Sequence, residues 1–391
     1  MHVVFILGLL FSQQSNPPSL TETIDTLVPQ IFGYRSQPEA DLVDDGEFLR
    51  RIMLDLVGAP PSLEDVVAFS GDARPEKRAA RIDELLSSPR FSDFWSRRLA
   101  EVLVGNYHEV QGGAAFASWL RARLAEQTPW SLIVRRLLEA EGRLSEVPEL
   151  AWKVAWWKEG DKGATITSAF SRQVFGINLF CARCHDHGFD KWRVDDFHEL
   201  AAFTRGRKIE RTPQDVIVRE DPFSPADHVV DPWEPRRYGK PVKMPPRLFG
   251  GNVPPEGRKL SVSLADLALQ QPYVTRAFVN RTWAWLMGRG IVYPVDEFDL
   301  RNKPISPALL KALEGDYSLH GESLRPLVRS ICLSRAYQRR SQAVGPEPKV
   351  TYRRAVIRPL SAEQLLASLE VATRGSPSGD RVEARRVAGI L

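Results

Sequence analysis

Two cysteines and two histidines lie within seven residues near the middle of the chain. The segment is Cys181-Ala-Arg-Cys184-His185-Asp-His187. It contains C-x-x-C-H, the spacing at which two thiols can bond to the vinyl groups of one haem while the adjacent imidazole ligates the iron. The 391 residues include three cysteines and seven histidines, so chance does not explain this clustering. We therefore predict a covalent c-type haem, with thioethers at Cys181 and Cys184 and with His185 on the iron.

Two other uses of the same residues remain open. Thiolates and imidazoles also bind zinc, and a closed set of four such ligands would be structural. The candidate zinc ligands are Cys181, Cys184, His187, Asp190 and His198, with Asp186 beside them. Alternatively, the two cysteines form a local disulfide or a pair of buried thiols at the end of a helix. Cys332 lies in an apolar helical stripe and is predicted to be a core residue.

The composition excludes some classes of protein. The chain has 53 basic and 49 acidic residues, and its net charge is +4. No long stretch concentrates lysine and arginine without matching acids, which argues against a nucleic-acid-binding protein. The hydrophobic content of 43% is enough for ordinary buried cores, and a chain of this length usually forms two or three domains.

The first residues resemble a signal for export. Residues 3–11 form an uncharged apolar run that is too short to span a bilayer, and a polar segment follows directly. We predict a signal peptide over residues 1–20 and an exported protein, periplasmic or extracellular, whose mature chain has no transmembrane segment. Export suits the haem prediction, because bacterial haem attachment to C-x-x-C-H takes place outside the cytoplasm.

The remainder of the chain has mainly helical patterns. Apolar residues between 48 and 56 recur at i, i+3, i+4 and i+7, and Gly58 ends that stripe. Ser62 and Ser361 each begin a capping box. Further helices are predicted at 76–86, 92–104, 114–126, 129–139, 164–180, 194–204, 273–287 and 324–337, and from Pro307 onward. The helix at 164–180 would carry the cysteine motif at its C-terminal end.

Prolines and glycines divide this helical pattern into two units. Residues 206–258 are rich in proline and predict an irregular linker, with a short hairpin around Val216–Val218. The predicted fold class is therefore mainly α, with helical domains at 21–205 and 259–375, few or no strands, and a tail at 376–391.

Arginines and acids also lie close together in the second unit. We interpret them as ion pairs that tie a helix to the loop after it, although one arginine could instead bind a haem propionate. The residues are Arg276, Arg281 and Arg289, followed by Asp296, Glu297 and Asp299.

Several segments resemble a known bacterial family. Three segments are similar to the planctomycete cytochrome-type domain of unknown function 1549. They are residues 48–62 (Phe-Leu-Arg-Arg-Ile-Met-Leu-Asp-Leu-Val-Gly-Ala-Pro-Pro-Ser), 85–91 (Leu-Leu-Ser-Ser-Pro-Arg-Phe) and 181–190 (Cys-Ala-Arg-Cys-His-Asp-His-Gly-Phe-Asp). Five shorter segments resemble its usual companion, domain of unknown function 1553. They are residues 275–283, 288–290, 296–298, 334–337 and 360–364. The resemblance covers roughly residues 45–205 and 245–375. It implies an exported protein with a cytochrome-like label and no established reaction.

These observations lead to two expectations about function. The first is an exported c-type haem protein in electron transfer or haem-dependent redox chemistry, acting with a redox partner protein or a small-molecule substrate. The alternative is a non-redox extracellular protein, stabilised by a zinc-type site, that binds or hydrolyses a carbohydrate-like substrate.

Overall fold

Helices form most of the regular structure. The computed structural model describes residues 18–31, 39–161, 163–204, 207–220, 228–230, 242–255, 257–341 and 352–376. The predicted leader therefore lies outside the described residues except for 18–20, and so does the predicted tail except for 376. Within the described ranges the chain has fifteen α-helices and five short strands, which confirms a mainly α fold.

Ten helices precede the proline-rich segment and five follow it. The first ten are α1 (Leu20–Leu27), α2 (Asp45–Val57), α3 (Leu63–Gly71), α4 (Lys77–Ser87), α5 (Pro89–Val104), α6 (Gly113–Ala125), α7 (Trp130–Glu139), α8 (Leu150–Trp156), α9 (Ala164–Phe175) and α10 (Val194–Ala202). The others are α11 (Leu260–Leu269), α12 (Tyr273–Met287), α13 (Pro307–Leu319), α14 (Leu324–Leu333) and α15 (Ala362–Arg374). No helix of the described ranges has the length and apolar character needed to cross a bilayer.

Local sequence signals account for many helix ends. The predicted capping boxes are present, with the Ser62 hydroxyl accepting from the Asp65 N–H and the Ser361 hydroxyl accepting from the Gln364 N–H. Gly58 ends α2 in the left-handed conformation, at φ 72°. The helix predicted at 324–337 is shorter than expected, because the chain is already extended at Ser334.

The proline-rich segment contributes a small sheet. Strands β2 (Arg207–Arg211) and β3 (Val216–Glu220) form the antiparallel hairpin that the sequence predicts, and β1 (Gly142–Arg143) pairs with the other edge of β3. Two further strands, β4 (His228–Val230) and β5 (Val242–Met244), pair with each other. The segment between the helical units is thus partly regular structure, joined to the first unit through β1.

One hydrophobic cluster runs through helices from both sequence units. Helix α1 packs against α13 and α14, α7 packs against α11, and α9 packs against α12. The cluster extends from Leu20 to Tyr352 and includes the fully buried Trp95, Trp152 and Trp283. Residues on either side of the proline-rich segment therefore bury their apolar surfaces together.

A buried polar network also links the two units. The Asp55 carboxylate of α2 accepts a hydrogen bond from the Tyr337 hydroxyl at 2.8 Å and from Arg358 Nη2 at 2.7 Å. Gln364 Nε2 donates to the Leu54 carbonyl at 2.9 Å. Since Asp55 and Tyr337 are buried, the carboxylate depends on these partners for its solvation.

Candidate functional site

The cysteine motif follows a helix end rather than lying on the helix. The sequence predicts one helix over 164–180, but α9 ends at Phe175 because Gly176 adopts the left-handed conformation at φ 65°. A Cβ atom at Gly176 would lie 2.6 Å from the Phe298 ring, so glycine also permits a close packing contact. The motif itself begins on a separate 3-10 turn, Phe180–Arg183.

The three residues predicted to hold haem lie at the surface. Cys181, Cys184 and His185 are all exposed, and the two thiols are not joined to each other. The Cys184 N–H donates to the Cys181 carbonyl at 3.4 Å, and Ala182 between them is fully buried. The described structure thus shows neither the local disulfide nor the buried thiol pair. The two thiols and the imidazole are therefore exposed to solvent side by side in sequence, while the buried Ala182 anchors the turn between the cysteines.

The imidazole of His185 has a defined orientation. His185 Nδ1 donates a hydrogen bond to the Asp186 carbonyl at 2.8 Å, because a carbonyl oxygen only accepts. In the neutral ring the proton is then on Nδ1 and the lone pair on Nε2. Histidines that bind metals commonly donate their second ring nitrogen to a backbone carbonyl in this way, which fixes the tautomer and strengthens the ligand. The donor set at this turn therefore fits a haem iron.

Helix α10 supports the turn from behind. The buried His198 donates from Nε2 to the Arg183 carbonyl at 3.0 Å, between the two cysteines in sequence. The Asp186 carboxylate accepts from the Val194 N–H, at the start of α10, at 3.1 Å. The structure thus gives His198 a positioning contact with the motif backbone.

The candidate zinc ligands do not form a common cluster. His187 belongs to the loop after the motif, where its N–H donates to the Trp192 carbonyl at 2.8 Å and its Nδ1 accepts from the Phe189 N–H at 3.4 Å. The Asp190 carboxylate accepts from the next backbone N–H, that of Lys191, at 2.7 Å. In the part of the chain that the structure describes, no three His, Cys, Asp or Glu side chains are placed to hold a metal ion.

An aromatic cluster holds the loop that follows the motif. The centroid of the Trp192 ring lies 4.7 Å from that of Phe249 and 6.3 Å from that of Tyr273. The ring centroids of Phe249 and Phe175 are 5.5 Å apart. The Lys191 ammonium donates to the Tyr273 hydroxyl at 3.3 Å. Sequence reasoning missed these supporting residues, since aromatic side chains so far apart in sequence carry no local signal that they meet.

The second sequence unit also reaches the site. Arg281 pairs with Asp296 at 2.6 Å and donates to the Gln173 carbonyl at 3.0 Å, so it ties α12 both to its following loop and to the end of α9. This confirms the predicted ion pair at Arg281. The other two arginines differ from the expected pairing: Arg276 pairs with Glu314 of α13 at 2.7 Å, and the Arg289 guanidinium lies 4.2 Å from the Tyr293 ring.

Comparison with known protein families agrees with this two-part organisation. A family model described as a protein of unknown function, DUF1549, matches residues 23–208. A second, described as a protein of unknown function, DUF1553, matches residues 261–384. The chain belongs to the family that joins these two regions. The cysteine motif lies in the first match, and Tyr273, Arg281 and Phe298 contact its surroundings from the second. No curated protein and no solved structure shows significant similarity to the chain.

Proposed function

We propose that this chain is an exported c-type haem protein that acts in electron transfer or in haem-dependent redox chemistry. Cys181 and Cys184 would carry the thioether bonds, and His185 would ligate the iron through Nε2. The observation that supports this most is the combination of two exposed, unbridged thiols with an adjacent imidazole whose Nδ1 donates to a backbone carbonyl. The short name of the first family model, PSCyt2, is in keeping with a cytochrome-like role.

The chain's own residues have distinct tasks in this proposal. Bound haem supplies one-electron chemistry at its iron. His198 and Asp186 hold the backbone of the attachment turn against α10, and the carbonyl of Asp186 orients the His185 ring. A hydrogen bond of that kind makes the imidazole a stronger donor to the metal. Substitutions of His198 or Asp186, which hold the turn against α10, should therefore alter the haem environment and leave the attachment residues in place.

A direct test is maturation of the protein together with a bacterial haem-attachment system. We expect a Soret band that survives denaturation and acid–acetone extraction, and we expect iron in metal analysis. Colourless protein without iron, isolated after export in a host that matures other c-type haem proteins, would refute the proposal.

Cysteine substitutions provide a matched pair of variants. Cys184→Ser should remove one thioether and shift the pyridine haemochrome spectrum, because one vinyl group stays unreacted. Cys332→Ser should leave the spectrum unchanged, since that thiol is fully buried in the hydrophobic cluster. Equal spectra for both variants would show that the exposed cysteine is not attached.

Histidine substitutions separate the haem proposal from the alternative. His185→Ala should shift the Soret band, whereas His187→Ala should leave covalent attachment intact because His187 belongs to the loop after the motif. If no haem is ever found and His187→Ala abolishes bound zinc, the alternative gains support. The protein would then be a metal-stabilised, non-redox extracellular protein that binds or hydrolyses a carbohydrate-like substrate.

A further inference from the structure

The inner face of the β2–β3 hairpin carries a buried arginine with unpartnered N–H groups. Arg207 lies directly opposite Glu220 in this pairing, and both side chains are buried on the same face of the hairpin. Arg207 is 6% exposed, and its Nε and Nη2 are buried with no hydrogen-bond partner among the described residues. A buried donor without an acceptor costs free energy, because folding removes it from water and returns no bond. These N–H groups therefore point to a ligand.

The acid opposite Arg207 is bound elsewhere. The Glu220 carboxylate accepts from the backbone N–H groups of Leu260 and Ser261 at the start of α11, from Ser261 at 3.1 Å. That position suits a carboxylate, because free N–H groups and the positive end of the helix dipole meet there. Glu220 attracts the Arg207 charge through space but accepts no bond from Nε or Nη2. The guanidinium donors of Arg207 are thus left open.

A second buried cation lies near the first. Lys153 of α8 is 1% exposed, and its ammonium donates to the Ala140 carbonyl. Burial and, after it, the positive charge of Arg207 lower the pKa of Lys153 well below its usual range. We refer to Lys153, Arg207, Glu220 and Ser261 as the junction cluster.

The acids near the junction cluster do not balance both cations. Two acids act on Lys153 and Arg207, and Glu220 is the buried one. The other, Glu141, is partly exposed and pairs with Lys259 at 2.8 Å, so these two charges offset each other. With Lys153 protonated, the buried groups therefore carry an excess of one positive charge. Burying such a charge without a partner is costly.

We propose that the junction cluster binds one small monovalent inorganic anion, of the size of chloride, on the guanidinium of Arg207. The anion accepts from Nε and Nη2. Water can also accept from these groups, but only an anion offsets the excess charge and lets both cations stay protonated. The Ser261 hydroxyl is a further buried donor of the cluster that has no partner among the described residues.

The proposed anion has a structural task. Lys153 and Arg207 lie in the first family region, and Ser261 begins the second. An anion bound in the junction cluster would therefore stabilise the contact between the two regions. The ligand has to be small, because every member of the cluster is buried. This inference needs no haem and does not depend on the proposed function.

The first test measures Tm of the full-length protein as sodium chloride replaces sodium gluconate at constant ionic strength. A ligand that binds only the folded state raises Tm, and for a Kd of about 10 mM about 0.2 M chloride should raise it by about 2 °C. Arg207→Met should abolish this rise, because it keeps most of the side-chain bulk and removes the donors. The matched control Arg219→Met should keep the full rise, since Arg219 is exposed on the opposite face of β3. Circular dichroism establishes that each variant is folded.

The second test needs no variant and decides the matter if Arg207→Met does not fold. Crystals of the unsubstituted protein are soaked in sodium bromide, and we expect an anomalous peak within hydrogen-bonding distance of Arg207 Nε and Nη2. Two results would overturn the proposal. An equal rise in Tm with and without Arg207 would indicate a general effect of the salt. Water density on both nitrogens, with no anomalous peak there, would show that water alone satisfies these donors.

Discussion

Substituting Asp55 by asparagine should destabilise the protein strongly, because its buried carboxylate joins the first family region to two groups of the second. Asp55 belongs to α2, whereas Tyr337 and Arg358 belong to the second region. Both of their polar groups reach the same carboxylate oxygen, at 2.8 and 2.7 Å. The substitution keeps the side-chain volume but removes the negative charge that compensates the positive charge of the Arg358 guanidinium.

The size of the effect follows from the burial. Removing one partner of a buried ion pair costs about 3–5 kcal/mol, because the other charge is left without compensation. Asparagine retains an oxygen that can accept from Tyr337, so we expect the lower end, about 3 kcal/mol. With an unfolding entropy of about 2 cal/mol/K per residue, a chain of 391 residues has about 0.8 kcal/mol/K in total. The expected decrease in Tm is therefore about 4 °C.

Thermal unfolding monitored by circular dichroism measures this change. Asp72→Asn is the matched control, since Asp72 pairs at 2.7 Å with an arginine that is exposed to solvent, and its loss should leave Tm unchanged within error. The losses from Asp55→Asn and Arg358→Gln should not add in the double variant, because both remove the same contact. If Asp55→Asn lowers Tm no more than Asp72→Asn does, the buried network does not hold the two regions together.

Three further predictions concern the motif, the end of the helix that precedes it, and acid stability. Haem-free native protein should present two thiols to a thiol reagent and a third only after unfolding, because burial raises the pKa of Cys332 and shields it; a third thiol reacting at the same rate in the native state would contradict this. Gly176→Ala should lower the free energy of unfolding by at least about 1 kcal/mol, measured by urea titration, since φ is positive there and the Phe298 ring blocks a Cβ atom; an unchanged midpoint would show that the turn tolerates side chains. The hydrogen bond from Lys77 lowers the pKa of Asp45 in the folded state, so its stabilising contribution is present above the unfolded pKa and is lost as pH falls through the folded one. The difference in Tm between the native protein and Asp45→Asn should thus be present at neutral pH and disappear well below about pH 4, and a constant difference at all pH values would contradict the linkage.

Local signals in the sequence were sufficient for the class of fold. The apolar spacing between residues 48 and 56, the capping serines at 62 and 361, and the glycine at 58 each act within one or two helical turns. Such signals depend little on the tertiary arrangement, because the atoms involved are neighbours in the chain. The same holds for the hairpin around Val216, where the strands are separated by a short turn.

Sequence reasoning was less reliable where a local signal had competition. The apolar residues after Gly176 continue a helical pattern, so the helix was predicted to run into the motif, whereas α9 ends at Phe175. Gly176 ends the helix by adopting the left-handed conformation, and Phe298, more than a hundred residues away, packs where a side chain on residue 176 would lie. Strand β1 has two residues and pairs with β3, so no pattern of its own could have indicated it.

The sequence by itself determined which groups can react, because the register of Cys181, Cys184 and His185 is a covalent property of the chain. It likewise determined that most of the chain is helical. Only the tertiary structure decided how these groups are presented: that both thiols reach solvent, that His198 contacts the motif backbone, and that the second family region borders the site. Those outcomes depend on burial and on contacts between residues distant in sequence, which exist only after the helices have packed together.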